Sequence, residues 1–491
     1  MTGAVRFILD GHVVRAEGLP ATTTVLEYLR EVLHRTGTKE GCAEGDCGAC
    51  TIALGELAAD GRSIAYKAVN SCIRLLPTID GREIVTVESL AAVDAPLHPV
   101  QQAMVDEHAS QCGFCTPGFV MSLFALYLED PAPGRDRVVE ALSGNLCRCT
   151  GYRPIIAAGC RMGSYPRPAA WGPDATTDAA RCAALGAIAR TVPLRLPGFQ
   201  APRDLDELAA AVLAAPGALV LAGGTDVGLW VTKLLRDLPA VIYLGEVAEL
   251  KRIATDARGI AIGAAVPLSD AWNAIVAEHP SLAEVAERFG SPPVRNSGTL
   301  CGNLANGSPI GDSMPALIAL GAELELRRGS QSRRLPLEEF YLGYQRKALA
   351  PGEFVVSVTV PRAPAGTWVE SYKIAKRYDQ DISAVCAGIA VRVEAARVVS
   401  ARLAFGGMAA VPARARAAER TLIGAHWNAA SIERAAAALA EDFSPLSDLR
   451  ATSAYRLRTA GALLQRFFLE HGGVGAGGVG AGGLGASGLR V

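Results

Sequence analysis

Apolar and polar positions alternate near the start of the chain, and their spacing changes soon afterwards. The stretch Val5-Arg-Phe-Ile-Leu-Asp-Gly-His-Val-Val14 alternates around its Asp-Gly pair, which predicts a strand, a turn and a second strand. Between Thr24 and Leu33 the apolar residues recur with the period of a helix. Residues 1–88 are therefore expected to form a small β-rich domain with one helix.

The pattern becomes helical after residue 88. Apolar runs from Phe119 to Leu128 and from Pro154 to Cys160 each predict a helix, and the segment Pro131-Ala-Pro-Gly134 interrupts the chain between them. Two helical hairpins in a small bundle are expected over residues 89–164.

A Pro- and Ala-rich stretch over residues 165–191 is typical of an interdomain linker, and helical segments alternate with buried strands beyond it. The uncharged run over residues 208–225 approaches the length of a membrane span. Pro216, Gly217 and the Gly223-Gly224 pair interrupt this run, so it predicts a helix, a turn and a buried strand.

Length and charge limit the possible functions. A chain of 491 residues is too long for one core and is expected to form about three or four domains. The formal net charge of -1 gives no bulk attraction to nucleic acid or to a membrane surface, so small molecules or proteins are the expected partners. The first residues show no apolar secretory segment, which favours the cytoplasm.

Twelve cysteines in a cytoplasmic protein favour metal or redox chemistry over disulfides. The spacing Cys42-x4-Cys47-x2-Cys50, followed by Cys72, is the plant-type ferredoxin spacing for a 2Fe-2S cluster. Gly41, Gly45 and Gly48 allow the tight turns that such a loop needs. Structural zinc, the competing interpretation, favours paired knuckles rather than three close cysteines with one remote ligand.

A second group of cysteines comes from two short motifs. Cys112-x2-Cys115 and Cys147-x-Cys149 each precede an expected helix, whose N-terminus stabilises anionic sulfur. Four thiolates can therefore converge again, and on spacing alone both a second 2Fe-2S cluster and a four-cysteine zinc site remain open. The other cysteines have no partner spacing and are expected to be buried thiols: Cys160, Cys182, Cys301 and Cys386.

Two glycine-rich loops suggest a dinucleotide. The motif Leu219-Val-Leu-Ala-Gly-Gly-Thr-Asp-Val-Gly228 takes a strand into a glycine turn whose backbone N–H groups can contact phosphate, although such glycines also serve plain turns. A second loop, from Asn296 to Asp312, supplies small and amide residues, and the two loops together favour a dinucleotide site. The only convincing Gly-x-Gly-x-x-Gly match, from Gly473 to Gly478, lies in a low-complexity tail and is a false positive for dinucleotide binding.

The cysteine loop together with Cys-Gly-Phe-Cys-Thr-Pro-Gly and Asn-Leu-Cys-Arg-Cys-Thr-Gly-Tyr resembles the iron–sulfur portion of molybdenum hydroxylases. That resemblance replaces the zinc alternative by two 2Fe-2S clusters, with ligands Cys42, Cys47, Cys50, Cys72, Cys112, Cys115, Cys147 and Cys149. It implies a multidomain α+β fold, with boundaries as follows: a β-grasp 2Fe-2S ferredoxin domain (1–88), a four-helix 2Fe-2S bundle (89–164), a linker (165–191), an α/β FAD-binding domain (192–364), an α+β C-terminal flavoprotein domain (365–470) and a flexible Gly-rich tail (471–491).

The two glycine loops resemble the flavin domain of the same family, and this resemblance implies the FAD contacts. They are Leu221, Ala222, Gly223, Gly224, Thr225, Asp226, Val227, Gly228, Phe289, Thr299, Leu300, Cys301, Gly302, Asn303, Asp312, Val355 and Lys373. Cys301 stands where the family often has glycine. Lys373 is expected to lie near the flavin and to stabilise its anionic reduced form. The charged stretch from Tyr372 to Ile382 is similar to a loop of the C-terminal flavoprotein domain, although spacing alone favours a surface turn.

The resemblance also implies that electron transfer and substrate oxidation take place on different subunits. Iron–sulfur and flavin modules without a molybdopterin module resemble the small subunit of bacterial xanthine dehydrogenases. A large molybdopterin-binding subunit in a heterotetramer of two chains of each kind is therefore expected, with substrate oxidation on that partner and no catalytic acid or base in this chain. Electrons from hypoxanthine or xanthine would pass through the two clusters to FAD and then to NAD. Another molybdenum hydroxylase, for aldehydes or N-heterocycles, and a non-catalytic redox sensor are the alternatives.

Overall fold

The protein is described by a computed structural model over residues 3–91, 94–168 and 170–472. The low-complexity tail from residue 473, with its glycine match, lies outside the described residues. The described chain forms two compact units: residues up to 251 with 265–270 and 290–299 in one, and 252–264, 271–289 and 300 onwards in the other. The predicted multidomain α+β class is confirmed.

The first domain is a five-stranded sheet with a short helix. Its elements are β1 (Val5–Leu9), β2 (His12–Ala16), α1 (Val25–Glu27), which continues as a π-helical turn over Tyr28–Val32, β3 (Thr51–Leu57), β4 (Ile64–Asn70) and β5 (Glu83–Val85). The strand order is β2-β1-β5-β3-β4, and only β1 and β5 pair in parallel. Phe7, Leu29 and Ile52 are fully buried in its core. The predicted hairpin is confirmed, with Val5 opposite Ala16.

Four helices follow, in two hairpins: α2 (Pro99–Asp106), α3 (Thr116–Glu129), α4 (Arg135–Leu142) and α5 (Arg153–Arg161). Helix α3 is buried along nearly its whole length because almost every position is apolar. The stretch over residues 165–191, expected to be a linker, contains a further helix, α6 (Ala179–Ile188). Cys182, Leu185 and Ile188 share one face of α6 and are buried, so this part of the stretch belongs to the core.

The rest of the first unit is a small sheet with two helices. Its elements are β6 (Leu194–Leu196), β7 (Phe199–Ala201), α7 (Leu205–Ala214), β8 (Leu219–Leu221), α8 (Val227–Thr232) and β9 (Val241–Tyr243). The strand order is β6-β7-β9-β8, and β9 is parallel to both β7 and β8. The carboxyl ends of β8 and β9 therefore meet at one edge of the sheet. The expected helix, turn and strand over residues 208–225 are present.

The next segment contains an antiparallel sheet of order β10-β11-β16-β12-β13. Its strands, with a separate two-stranded ribbon (β14 and β15), are β10 (Ile253–Asp256), β11 (Gly259–Gly263), β12 (Glu323–Arg328), β13 (Gln331–Pro336), β14 (Tyr341–Gly343), β15 (Arg346–Lys347) and β16 (Phe354–Pro361). Its helices are α9 (Leu268–Glu278), α10 (Ala283–Arg288), α11 (Pro292–Ser297), α12 (Leu300–Asn306), α13 (Ser313–Leu320) and α14 (Leu337–Phe340). Helix α11 and the start of α9 belong to the first unit, and the rest to the second.

The C-terminal part of the second unit is an antiparallel meander followed by three helices. The elements are β17 (Thr367–Ile374), β18 (Val385–Glu394), β19 (Arg397–Gly406), β20 (Ala413–Arg414), α15 (Arg416–Leu422), α16 (Ala429–Asp442) and α17 (Ser453–Glu470). Helix α13 lies so close to β18 that a side chain at Gly388 would overlap the carbonyl of Pro315. None of the described helices combines the length and the apolar character needed to cross a bilayer.

Candidate functional site

The first cysteine set lies in the loop before β3 and just after β4. Cys50 and Cys72 are each 2% exposed, and the sulfur of Cys42 accepts the N–H of Cys47 at 3.3 Å. Hydrogen bonds among the thiols link Cys47 to Cys42, Cys42 to Cys72 and Cys72 to Cys50. They lower the pKa values of Cys42 and Cys50 and raise those of Cys47 and Cys72. Four thiols in mutual contact fit the four thiolates that a 2Fe-2S cluster requires.

The glycines of this loop are required by its path. Gly45 and Gly48 have φ angles of 77° and 71°, which favour glycine. A side chain at Gly48 would also overlap the carbonyl of Gly144, and one at Gly41 would lie 2.8 Å from the sulfur of Cys47. The loop is therefore held tightly around its sulfurs.

The second cysteine set lies at the surface, between helices of the bundle. Cys115 is the residue before α3, and Cys112 and Cys149 are exposed, with their sulfurs 3.5 Å apart. A backbone hydrogen bond from Phe114 lowers the pKa of Cys112, and the hydrogen bond to Cys112 raises the pKa of Cys149. Burial raises the pKa of Cys115 to about 12. The structure thus brings Cys112 and Cys149 together from two distant motifs.

The fourth member, Cys147, is partly buried and is tied to its own loop. Burial acts to raise the pKa of its thiol, but hydrogen bonds from Thr150 lower it overall. The hydroxyl of Thr150 lies 3.2 Å from the Cys147 sulfur. A side-chain hydrogen bond also joins Cys147 to Cys115. All four cysteines of the second set are therefore engaged in thiol contacts.

The two cysteine loops touch through a buried amide that the sequence reasoning missed. Asn145, 3% exposed, donates from Nδ2 to the carbonyl of Gly48 at 3.1 Å and accepts at Oδ1 from the hydroxyl of Ser122 at 2.6 Å. The next residue, Leu146, donates its N–H to the carbonyl of Cys47 at 2.9 Å. Cys47 and Cys147 are thereby joined through one hydrogen bond and one intervening residue.

The remaining cysteines take no part in these contacts. Cys182, Cys301 and Cys386 are buried, as expected, but Cys160 is exposed, so the expectation of a buried thiol is wrong for Cys160. It lies on the solvent side of α5, whose other face carries Ile155 and Ala158 into the core. Across the described residues, no group of three or more His, Cys, Asp or Glu side chains is arranged to hold a single metal ion.

The first predicted flavin loop follows β8 and packs against two other parts of its unit. A side chain at Gly223 would overlap the carbonyl of Ser297, close to Thr299, so the glycine turn and the start of the second loop are in contact. A side chain at Gly228 would overlap the carbonyl of Ile73, the residue after Cys72. The predicted flavin turn therefore contacts the residue that follows Cys72 of the first cysteine set, and no sequence pattern predicts this contact.

The other predicted flavin residues belong to the second unit. Asp312 and Lys373 form a buried ion pair there, and Lys373 Nζ also donates to the carbonyl of Asp381 at 2.8 Å and the hydroxyl of Ser383 at 3.0 Å. All three donors of this ammonium group are therefore engaged within the protein. Arg288, which sequence reasoning missed, donates to the Lys373 carbonyl at 3.0 Å and so fixes its backbone.

Three more predicted residues of the second unit are buried. Cys301, on α12, donates a weak hydrogen bond to the carbonyl of Ile262 at 3.6 Å, and burial raises its pKa to about 12. Val355 lies on β16 opposite Leu326. The ring of Phe289 lies 6.3 Å from that of Trp272. Asp312 and Lys373 thus contact each other, whereas Phe289 lies near Trp272 and Val355 lies opposite Leu326.

Four stretches of the chain match known domain families, in chain order. Residues 7–75 match a 2Fe-2S iron-sulfur cluster binding domain and residues 86–160 a [2Fe-2S] binding domain. Residues 195–363 match the FAD binding domain in molybdopterin dehydrogenase, and residues 370–471 the CO dehydrogenase flavoprotein C-terminal domain. Two iron–sulfur domains and a flavin domain are thereby confirmed.

Longer relatives and solved structures agree with these matches. A xanthine dehydrogenase of Emericella nidulans is 32% identical, over 90% of this chain and 36% of the relative, so the chain spans 36% of that relative's length. Carbon monoxide dehydrogenase from Hydrogenophaga pseudoflava is 29% identical over 55% of this chain and 94% of that chain, with a TM-score of 0.51. Quinoline 2-oxidoreductase from Pseudomonas putida 86 is 29% identical over 55% of this chain and 95% of that chain, with a TM-score of 0.50.

Proposed function

Because the chain belongs to the molybdenum hydroxylases and carries their iron–sulfur and flavin domains, we propose that it is the electron-transfer component of a xanthine dehydrogenase. Hypoxanthine or xanthine is hydroxylated at a molybdopterin centre on a large partner subunit. Electrons then cross this chain to NAD. The 32% identity to a xanthine dehydrogenase supports this substrate class.

The observation that carries the proposal is the continuous contact between the three predicted cofactor segments. Cys147 is linked through Leu146 to Cys47, and Ile73, next to Cys72, touches Gly228 of the predicted flavin turn. Electron carriers at these positions would be connected by covalent bonds and close contacts, without a gap filled by solvent. The order in the route is therefore second cysteine set, first cysteine set, flavin.

The difference in exposure between the two cysteine sets supports entry of electrons at the second set. Cys112 and Cys149 lie at the surface, where an electron donor on another subunit can approach, whereas Cys50 and Cys72 are buried beside the flavin turn. The clusters and FAD supply the one- and two-electron redox chemistry when bound. The residues of this chain would hold the thiolates, shield Cys50 and Cys72 from water and fix the distance between the loops.

The proposed residue assignments follow from the same contacts. Cys42, Cys47, Cys50 and Cys72 would hold the inner cluster, and Cys112, Cys115, Cys147 and Cys149 the outer one. The proposed FAD contacts are those that the sequence predicts: residues 221–228, Phe289, residues 299–303, Asp312, Val355 and Lys373. Assembly with the large subunit as a heterotetramer is part of the proposal.

A different molybdenum hydroxylase is the second candidate, because carbon monoxide dehydrogenase and quinoline 2-oxidoreductase share the fold at 29% identity. The substrate would be recognised outside the residues of this chain, so the flavin and iron–sulfur geometry is compatible with both. Turnover of the native complex with xanthine and with quinoline separates the two candidates.

The route is tested by Cys149→Ser, measured in the native complex. We expect purine-driven reduction of NAD to be lost, while NADH still reduces the flavin because the inner cluster and the flavin turn are untouched. The matched control is Cys160→Ser, since Cys160 is also an exposed cysteine of the bundle but lies outside both cysteine sets. Loss of both activities in Cys149→Ser, or an equal effect of Cys160→Ser, would contradict the proposed order.

A further inference from the structure

The loop that carries Cys147 and Cys149 directs two hydrogen bonds from one residue to one sulfur. The N–H of Thr150 donates to the Cys147 sulfur at 3.5 Å, and the Thr150 hydroxyl lies 3.2 Å from the same sulfur. As a cluster ligand in the proposed function, this sulfur is a thiolate and carries no proton, so the hydroxyl is the donor. Two donors of Thr150 thus converge on one predicted ligand.

The Thr150 hydroxyl is held in this place by the residues that follow it. Its oxygen accepts the N–H of Tyr152 at 3.1 Å, and the Tyr152 hydroxyl accepts the N–H of Cys147 at 3.0 Å. Hydrogen bonds therefore run from Tyr152 to Thr150, from Thr150 to Cys147 and from Cys147 back to Tyr152. This closed ring of contacts orients the hydroxyl toward the sulfur.

The backbone adopts an unfavourable conformation to close this ring. Tyr152 has a φ of 68°, in the left-handed region that a residue with a side chain rarely adopts. Its neighbour Gly151 has a φ of 70°, which a glycine adopts without strain. Tyr152 also makes an edge-on contact with the ring of Phe119, at 6.3 Å between centroids. Strain at a non-glycine residue that its surroundings hold in place is typical of functional sites.

The inner cysteine set has weaker side-chain donors to its sulfurs. The Cys42 sulfur accepts the backbone N–H groups of Glu44 and Cys47, at 3.4 Å and 3.3 Å. The Cys50 sulfur accepts the side-chain amide of Asn70 at 3.9 Å. Of these contacts and those of Cys147, the shortest is the one to the Thr150 hydroxyl. A side-chain donor also differs from a backbone donor in that substitution can remove it.

Hydrogen bonds to the ligand sulfurs are among the factors that set the reduction potential of an iron–sulfur cluster. Reduction by one electron adds one negative charge to the cluster and its four thiolates, and no bond needs to form or break. A donor to sulfur stabilises negative charge there, so it favours the reduced form over the oxidised form. The Thr150 hydroxyl is therefore expected to make reduction easier.

We propose that Thr150 is a positioning residue that raises the reduction potential of the outer cluster through the Cys147 sulfur. This inference rests on the proposed function, in which Cys147 is a cluster ligand and the outer set receives the electrons from the partner subunit. It adds that one hydroxyl group determines how readily the outer set accepts them.

The test is a redox titration of the natively purified complex, in which dithionite and mediators set the potential and EPR reports the reduced fraction of each cluster. The outer signal is the one that Cys149→Ser removes. Thr150→Val replaces the hydroxyl by a methyl group of similar size. At the potential where the outer cluster of the wild type is half reduced, oxidised should exceed reduced cluster by about fivefold to tenfold in Thr150→Val, equivalent to about 1–1.4 kcal/mol. The inner signal should not shift.

Thr116→Val is the matched control. Thr116 follows Cys115 of the same cysteine set and is half-buried, as Thr150 is, but its hydroxyl lies 2.8 Å from that of Ser110. Its midpoint potentials should equal those of the wild type. Thr150→Ser keeps the hydroxyl and should retain most of the wild-type potential of the outer cluster.

Iron per chain is measured for every variant, because loss of a cluster differs from a shift of its potential. With full iron, an unshifted outer potential in Thr150→Val overturns the proposal, and so does an equal shift in Thr116→Val or in Thr150→Ser. If Thr150→Val loses iron, Thr150→Ala replaces it. Loss of iron from both would show that the hydroxyl is needed for cluster loading and would also overturn the proposal. A wild-type complex without iron would instead contradict the proposed function.

Discussion

Asn145→Ala is expected to loosen both cysteine loops at once, because Asn145 is the buried bridge between them. Its side chain makes three hydrogen bonds: to the Gly48 carbonyl at 3.1 Å, to the Thr51 hydroxyl at 3.3 Å and from the Ser122 hydroxyl at 2.6 Å. The methyl group of alanine replaces none of them. The partners remain buried, so the loss is larger than that of three surface hydrogen bonds.

The magnitude follows from these contacts. A hydrogen bond of this kind contributes about 0.5–1.5 kcal/mol, and a buried partner left unpaired costs about 1–3 kcal/mol, so a local loss of about 3 kcal/mol is expected. With a urea dependence of about 1–3 kcal/mol per molar, the midpoint for loss of the iron–sulfur absorption should fall by about 1–3 M. Both iron–sulfur signals should be lost together, since Asn145 touches the inner loop and precedes the outer one.

The assay is a urea titration of the cofactor-loaded protein, followed by the visible absorption of the clusters. Asn428→Ala is the matched control, because Asn428 caps α16 in the second unit through one hydrogen bond, to Ser431 N–H at 3.0 Å. It should cost about 1 kcal/mol without changing the midpoint of cluster loss. An Asn145→Ala midpoint equal to that of the wild type, or of Asn428→Ala, would refute the bridging role.

Three further predictions concern other buried positions. Gly48→Ala should abolish normal cluster loading, measured as iron per chain, because a side chain at residue 48 would overlap the carbonyl of Gly144. Gly81→Ala is the control and should keep its iron, because Gly81 has a similar φ of 77° but open space around it. Equal iron content in the two variants would contradict this prediction. Lys373→Met should leave the Asp312 carboxylate buried without a cation, which should reduce the free energy of unfolding by about 3–5 kcal/mol and lower the thermal melting temperature. An unchanged melting temperature would show that Asp312 does not depend on the Lys373 ammonium group. Burial lowers the pKa of His98 from 6.5 to about 4. Protonation therefore favours the unfolded state. The contribution of His98 to the free energy of unfolding should be complete above about pH 6.5 and be lost toward pH 4, by up to about 3 kcal/mol. The fall in stability over this range, measured by urea titration, should therefore be smaller in His98→Gln.

The local elements were predictable because they depend on neighbours in sequence. The hairpin from Val5, the long helix after Thr116 and the strand before the glycine turn each follow from periodicity and from Pro and Gly positions. Spacing also indicated an iron–sulfur loop at Cys42, Cys47 and Cys50, because that chemistry fixes the number of intervening residues. These features needed no knowledge of long-range packing.

The contacts that connect the site were not predictable, because they join residues far apart in the chain. Nothing local marks Asn145 as a bridge to Gly48, or Ile73 as the neighbour of Gly228. Helix α6 was not predicted, because it lies in a Pro- and Ala-rich stretch that resembles a linker. Its apolar face can be identified only once the core against which it packs is known. Cys160 illustrates the reverse case, in which a residue type that is usually buried lies on the solvent face of a helix.

The measurement that tests the central claim most directly is the anaerobic absorption spectrum of the natively purified complex, recorded before and after addition of xanthine. The proposal predicts that xanthine bleaches the flavin and iron–sulfur bands together, because electrons from the partner subunit pass through both cysteine sets to the flavin turn. If dithionite bleaches these bands and xanthine does not, the cofactor assignment stands and the proposed purine oxidation is contradicted.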